Sequence, residues 1–262
     1  MHRLGISDMY TTNSYTSAAR LHYYLRRRST SLAYWKLRWQ SVTASTEKDL
    51  GYWLRNKPWI GEHPRALIAA RQTQARGQGE RVWQSPRGGV WISAALPWPS
   101  KSSSVGLFGL IIALALAKQL ESRGLPVRIK WPNDLVVGSR KLAGLLPGLI
   151  HRGSKLRLAR IGLGMNVANP VPPEGVALAE LLPRALASPE LWTIEVLLAL
   201  ELAMSLSECS VLWLIEEIES RLWSTEVQDP KSQEIWVVTG ISSSGELKVR
   251  RGNNQCAWAR WR

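Results

Sequence analysis

Arg128-Ile129-Lys130-Trp131-Pro132-Asn133-Asp134-Leu135 is the stretch on which the reading of this chain turns. Arg128 and Lys130 alternate with Val127 and Ile129, the period of two expected of a short strand with one covered face. Pro132-Asn133-Asp134 is turn chemistry: proline fixes φ, while Asn and Asp bond locally and tolerate unusual backbone. Leu135 to Val137 then reads as a returning strand. The spacing predicts a strand–turn–strand unit with Lys130 at the mouth of a sheet, although a solvated lysine at a strand end fits the same pattern.

Working outward, Gln72-Thr-Gln-Ala-Arg76-Gly77-Gln78-Gly79-Glu80-Arg81 is a glycine-rich loop with two arginines. Gly77 and Gly79 allow close approach of a ligand, and their N–H groups can hold an anion. Arg76 and Arg81 offer forks suited to carboxylate or phosphate oxygens, and a mobile surface turn is the plain alternative. Ser45 and Thr46 precede a helical stretch over 47–54 and suit its cap. Trp91 and Ser93 fall on one face of a strand over 90–96. Further on stand Arg140-Lys141-Leu142-Ala143-Gly144 and Gly162-Leu163-Gly164-Met165-Asn166. Glycines within a strand mark close backbone approach. Asn166 offers a donor and an acceptor that match an adenine edge or close a strand-end turn. Lys141 can meet a nucleotide or solvent, and Asp134 can orient Lys130, meet magnesium or cap the turn.

Taken in order, these segments resemble the catalytic domain of biotin protein ligases. That family shows a Gly-Arg-Gly-Arg-x-Gly-Arg loop, a Trp-x-Ser-Pro-x-Gly-Gly turn, Lys-Trp-Pro-Asn-Asp, Arg-Lys-Leu-Ala-Gly and Gly-x-Gly-x-Asn. Here Trp83-Gln84-Ser85-Pro86-Arg87-Gly88-Gly89 and Lys130-Trp131-Pro132-Asn133-Asp134 match closely. The loop departs at Ala75, Gln78 and Glu80, standing for a glycine, an arginine and a glycine; Glu47 stands for a usual Asn. The resemblance implies an α/β (α+β) fold: a mixed, largely antiparallel sheet with flanking helices, then a small C-terminal SH3-like β-barrel. It implies a biotin set of Ser45, Thr46, Gln72, Arg76, Gly77, Trp91, Ser93, Lys130 and Gly144. The ATP set it implies is Arg81, Trp83, Lys130, Asn133, Asp134, Lys141 and Asn166. Lys130, Arg76 and Arg81 would carry the chemistry. ATP would bring Mg2+, with Asp134 the nearest carboxylate and no metal held by protein alone. The acceptor implied is the biotin carboxyl carrier protein of acetyl-CoA carboxylase.

Composition sets the bounds. The chain has 262 residues, 45% hydrophobic, with a formal net charge of +14. So basic a balance favours anionic partners without choosing among nucleotide, nucleic acid and acidic protein. Cys209 and Cys256 form neither a metal spacing nor a disulfide framework, which fits a reducing cytoplasm. The apolar run over 105–117 is too short for the ~20 residues of a membrane span. Residues 1–36 are rich in Ser, Thr, Tyr and Arg without clear periodicity, and read as a basic irregular extension. The catalytic domain is expected over 37–224 and the small β domain over 225–262. So short an extension predicts no winged helix-turn-helix and no operator DNA binding. A lipoate or octanoate ligase, a basic nucleic-acid-binding module and a ligase that binds without turnover are the rival expectations.

Overall fold

The computed structural model describes residues 18–29, 34–57, 59, 63–99, 103–153 and 155–259. Of the expected extension, residues 1–17 and 30–33 lie outside the described residues, as do the Glu80 side chain and residues 260–262 of the expected small β domain.

Seven strands form the main sheet: β1 (Lys36–Gln40), β2 (Arg65–Ala69), β3 (Val90–Leu96), β4 (Val127–Lys130), β5 (Asp134–Val137), β6 (Arg140–Arg152) and β7 (Lys155–Met165). Their order is β1-β2-β3-β7-β6-β5-β4. β1 and β2 run parallel, and every other neighbouring pair is antiparallel. The alternation along β3 sends Val90, Ile92, Ala94 and Leu96 into the main core. Trp91 and Ser93 therefore face the opposite side.

The core side is covered by α3 (Phe108–Glu121) and α4 (Pro189–Leu206). Both are apolar on nearly every side because each lies between other elements, as a fully buried helix must. Pro189 in the first turn and the Ser188 hydroxyl, which accepts from Leu191 N at 3.5 Å, start α4. On the other side of the sheet, α2 (Thr46–Asn56) packs Leu50 and Trp53 against Leu67.

Residues 18–28 correct the expectation of an irregular extension: Ala18–Arg28 is a helix, α1, with Leu21 and Leu25 buried against the core. Two such leucines contribute roughly 1.5–3 kcal/mol each when buried. Its arginines find acids distant in sequence. Arg20 Nε lies 2.7 Å from Glu190, and Arg28 lies 2.6 Å from Glu195, which is 1% exposed. Arg123 also reaches Glu195. Nearby, Trp35 Nε1 donates to Glu201 at 2.8 Å. Burial pushes the Glu201 carboxyl above the ordinary carboxylate range, against the pull of the Ser29 and Trp35 donors.

The last helix is short. α5 is Val211–Glu219, and residues 221–223 then run beside β4. Ile129 N donates to Arg221 O at 2.7 Å, and Trp223 N donates to Ile129 O at 2.9 Å. The C-terminal β unit has the order β11-β10-β9-β8: β8 (Glu226–Gln228), β9 (Ile235–Ile241), β10 (Leu247–Arg251) and β11 (Asn254–Trp258). Its pairing is that of a four-stranded antiparallel sheet, and β8 is only three residues long. Trp131 Nε1 donates to Gly245 O at 3.0 Å, and a Cβ on Gly106 would lie 2.7 Å from Ser244 Cα. That turn of the small sheet thus rests on the backbone at the entry to α3.

Candidate active site

Register builds the site. Lys130 lies opposite Asp134, Asp134 opposite Gly144, Gly144 opposite Gly164, and Gly164 opposite Trp91. Directly paired residues share a face, so these five form one row across β4, β5, β6, β7 and β3. A second row on that face joins Ser93, Gly162 and Leu146. At ~4.8 Å per strand, Lys130 and Gly144 are about 10 Å apart along the row. The glycines make a floor bare of side chains, and all of it lies on the side away from α3 and α4.

Trp83 rests on this floor. A Cβ on Gly164 would lie 2.6 Å from Trp83 Nε1, and one on Gly144 would lie 3.1 Å from the same ring. Any side chain at 164 would displace the indole. Trp83 Nε1 is buried with no acceptor. Lys141 Nζ stands 4.7 Å from the Trp83 ring centroid and 2.7 Å from Asp134 Oδ1. Asp134 is therefore the ion-pair partner of Lys141, a role outside the three options that the sequence left open for it. With its charge so engaged, it does not by itself make a metal site; the described residues contain no cluster of three or more His, Cys, Asp or Glu able to hold an ion. The Lys130 ammonium lies 4.7 Å from the centroid of the Trp223 ring.

The other end of the face is neutral and tightly bonded. Gln72 Oε1 accepts from Thr46 N at 2.8 Å and from Thr46 Oγ1 at 2.9 Å. Gln72 Nε2 donates to Ser85 Oγ at 3.0 Å, and Thr46 Oγ1 lies 2.8 Å from Ser93 Oγ. Ser45, Thr46, Ser85 and Ser93 are all buried. Ser45 has the extended backbone of an N-cap but makes no side-chain cap bond. The expected capping oxygen is instead the Gln72 amide, which takes the Thr46 N–H. Glu47 lies at the margin of this network, with Oε1 3.0 Å from Arg160 Nε.

The loop between these ends is a narrow ribbon. Arg76 bridges Val82, Gly77 N donates to Arg81 O at 2.7 Å, and Trp83 N donates to Ala75 O at 3.0 Å. The Gly77 N–H, expected to face an anion, is thus used within the loop. Gly79, at φ 64°, takes the left-handed turn conformation that glycine permits. Arg76 and Arg81 are exposed at the ribbon's edge.

Two residues expected to meet ATP are bonded into the scaffold. Asn133 Nδ2 donates to Leu145 O at 2.6 Å, tying the Pro-Asn-Asp turn to β6. Asn166 is buried; its amide donates to Lys141 O at 3.3 Å and its oxygen accepts from Asn169 Nδ2 at 3.0 Å. Each end of that amide retains one further valence. Sequence reasoning missed Trp223, Ser85 and Asn169. Ser85 alone carried a signal, standing in the Trp-x-Ser-Pro turn.

A mostly antiparallel sheet with helices on its core side, a glycine floor on the other, and a cation at the strand–turn–strand corner accompany a likeness to one class: residues 39–166 match the model of the biotin/lipoate A/B protein ligase family. Among the curated proteins this chain is similar to are biotin ligases. It is 32% identical over 131 residues to the bifunctional ligase/repressor BirA of Bacillus spizizenii, covering 49% of this chain and 39% of that protein. It is 30% identical over 204 residues to biotin–protein ligase 1, chloroplastic, of Arabidopsis thaliana, covering 70% of this chain and 55% of that one. The chain thus spans less than two thirds of these curated relatives. In fold it is similar to the biotin protein ligase from Aquifex aeolicus in complex with biotin and ATP, with a TM-score of 0.67 at 23% identity, over 86% of this chain and 96% of that one.

Proposed function

We propose that the protein is an ATP-dependent biotin–protein ligase. Biotin and Mg-ATP give biotinyl-5′-AMP and pyrophosphate; a lysine amine of an acceptor then takes the biotinyl group and releases AMP. The observation that carries this reading is the row on the ligand face: a lysine at one end, bare glycines between, and a neutral polar network at the other. The relative from Aquifex holds biotin and ATP together.

In this reading the two ends divide the work. Thr46, Gln72 and Ser93, with Ser45 and Trp91, receive the uncharged bicyclic ring. The floor at Gly144 and Gly164 takes the extended chain and the nucleotide, with Trp83 shifting from its seat. Arg76 and Arg81 sit on a ribbon able to fold over the face and grip carboxylate and phosphate oxygens. Lys130 meets the negative charge that builds as the biotin carboxylate attacks the α-phosphorus. It meets that charge again when the acceptor amine displaces AMP. Removing one such stabilising group costs roughly 10²–10³ in rate. Asn133, Asp134, Lys141 and Asn166 hold the corner beneath the nucleotide, and magnesium arrives as part of Mg-ATP. The catalytic machinery lies within 37–224 and the small β domain within 225–262, the latter meeting the Trp131 corner through Gly245. The acceptor is the biotin carboxyl carrier protein of acetyl-CoA carboxylase, and the reaction is cytoplasmic. No helix among the described residues is long and apolar enough to cross a membrane.

The test is exchange of labelled pyrophosphate into ATP. Exchange that requires biotin and is not supported by lipoate or octanoate is the expected result. Exchange driven by lipoate or octanoate would reassign the substrate, and none with any of the three acids would overturn the ligase reading.

A further inference from the structure

Lys130 faces Asp134 directly in the β4–β5 pairing. An opposite-charge pair in that position ordinarily closes into a cross-strand ion pair. It does not do so here. Asp134 is held by Lys141 at 2.7 Å, and the Lys130 ammonium sits over the Trp223 ring, 4.7 Å from its centroid. Trp223 is fixed from two directions: its N–H donates to Ile129 O at 2.9 Å and its indole Nε1 donates to Gly138 O at 2.8 Å. The segment carrying it lies along the edge of β4, so the ring is delivered to the lysine by sheet geometry.

We propose that Trp223 is a positioning residue for Lys130, holding the ammonium on a neutral aromatic face so that it stays charged and uncommitted. The inference rests on the ligase reading. An ammonium locked onto a carboxylate has its charge cancelled before any acyl-phosphate forms. A ring attracts the cation through its quadrupole, weakly enough at a partly exposed site for the chain to swing away. Trp223 is 39% exposed, which leaves that swing open. Lys141 completes the arrangement by engaging Asp134, the carboxylate directly opposite Lys130 in the strand pairing. The same tryptophan leads directly into β8, so the seat of the small sheet and the aim of the lysine are set by one segment.

The test uses the full chain labelled with 13C-lysine, alongside pyrophosphate exchange. The Lys130 Hε resonances, identified by their absence in Lys130→Arg, should be shifted upfield by the indole. Trp223→Leu should abolish that shift and slow exchange about tenfold at saturating biotin and ATP, with both KM values unchanged, the scale of a lost cation–π contact. Trp223→Phe lacks the bond to Gly138 but keeps a ring, and should restore most of the shift and the rate. Trp223→Glu offers a carboxylate in place of the ring and should fall below the Leu variant. Unshifted Lys130 resonances in the wild type, wild-type exchange by Trp223→Leu, a Phe variant as slow as Leu, or a Glu variant faster than Leu would each overturn the proposal while leaving the ligase reading intact. A wild-type chain that does not exchange at all would overturn both.

Discussion

The two ends of the candidate site are built on opposite plans. Thr46, Gln72, Ser85 and Ser93 bond to one another through neutral groups at 2.8–3.0 Å, and three of the four side chains are buried. Around Lys130, Asp134 and Lys141 the groups are charged, half-exposed, and held by one ion pair and two aromatic faces. A buried network of satisfied neutral bonds is stiff, because moving any member strands another. Charges near solvent are screened and mobile. On the ligase reading, that stiffness suits an uncharged ring at one end, and the mobile cations suit anions that arrive and leave at the other.

The sharpest way to break this division is Lys130→Ala. Pyrophosphate exchange should fall by roughly 10²–10³, while biotin affinity measured calorimetrically without ATP should change several-fold at most. If biotin binding fell as steeply as exchange, the lysine would belong to the ring end and the division would be false.

The neutral end is tested by Thr46→Val, which keeps the shape and removes the hydroxyl. Gln72 Oε1 and Ser93 Oγ then each lose a buried partner, at about 1–3 kcal/mol for a stranded polar group. Biotin KM should rise at least tenfold, the ATP KM should stay put, and the melting temperature should drop. An unchanged biotin KM would show that this network only braces α2.

How much of this was open to sequence reading depends on where each side chain finds its partner. Lys130, the Pro-Asn-Asp corner and the glycines of β6 and β7 were legible, because strand alternation and turn chemistry are local. Gln72 was legible as a candidate, yet its place as the strut that caps α2 was not. Nothing along the chain says that its amide meets Thr46. Trp223 was hidden for the same reason: its position follows from an edge pairing with Ile129, nearly a hundred residues earlier. The helix at 18–28 was missed because Leu21 and Leu25 make a weak periodic signal. Its arginines read as free charge until Glu190 and Glu195 of α4 are brought beside them.

Salt sharpens the comparison without any mutation. Raising ionic strength from about 0.05 to about 0.5 M shortens the screening length to a few ångströms. The KM for ATP should climb several-fold while the KM for biotin moves by less than about twofold, since a buried neutral network feels little screening. Equal shifts in both would mean that the biotin carboxylate, not the ring, dominates its binding.

The smallest expected effect lies in the ribbon that spans both ends. Gln78 stands where the ligase pattern has an arginine, within the turn that Gly79 makes possible. An amide there keeps hydrogen bonding but lacks charge. The ribbon should therefore hold the adenylate less firmly than one with three cations, because a charge-assisted bond to phosphate is about twice as strong as a neutral one. Gln78→Arg should slow release of biotinyl-5′-AMP, measured by trapping, by up to about tenfold, and the gain should shrink in high salt. Release that is unchanged, or slowed equally at all salt concentrations, would mean that position 78 points away from the phosphate. The grip of the loop would then rest on Arg76 and Arg81 alone, and the charged end of the face would be complete without it.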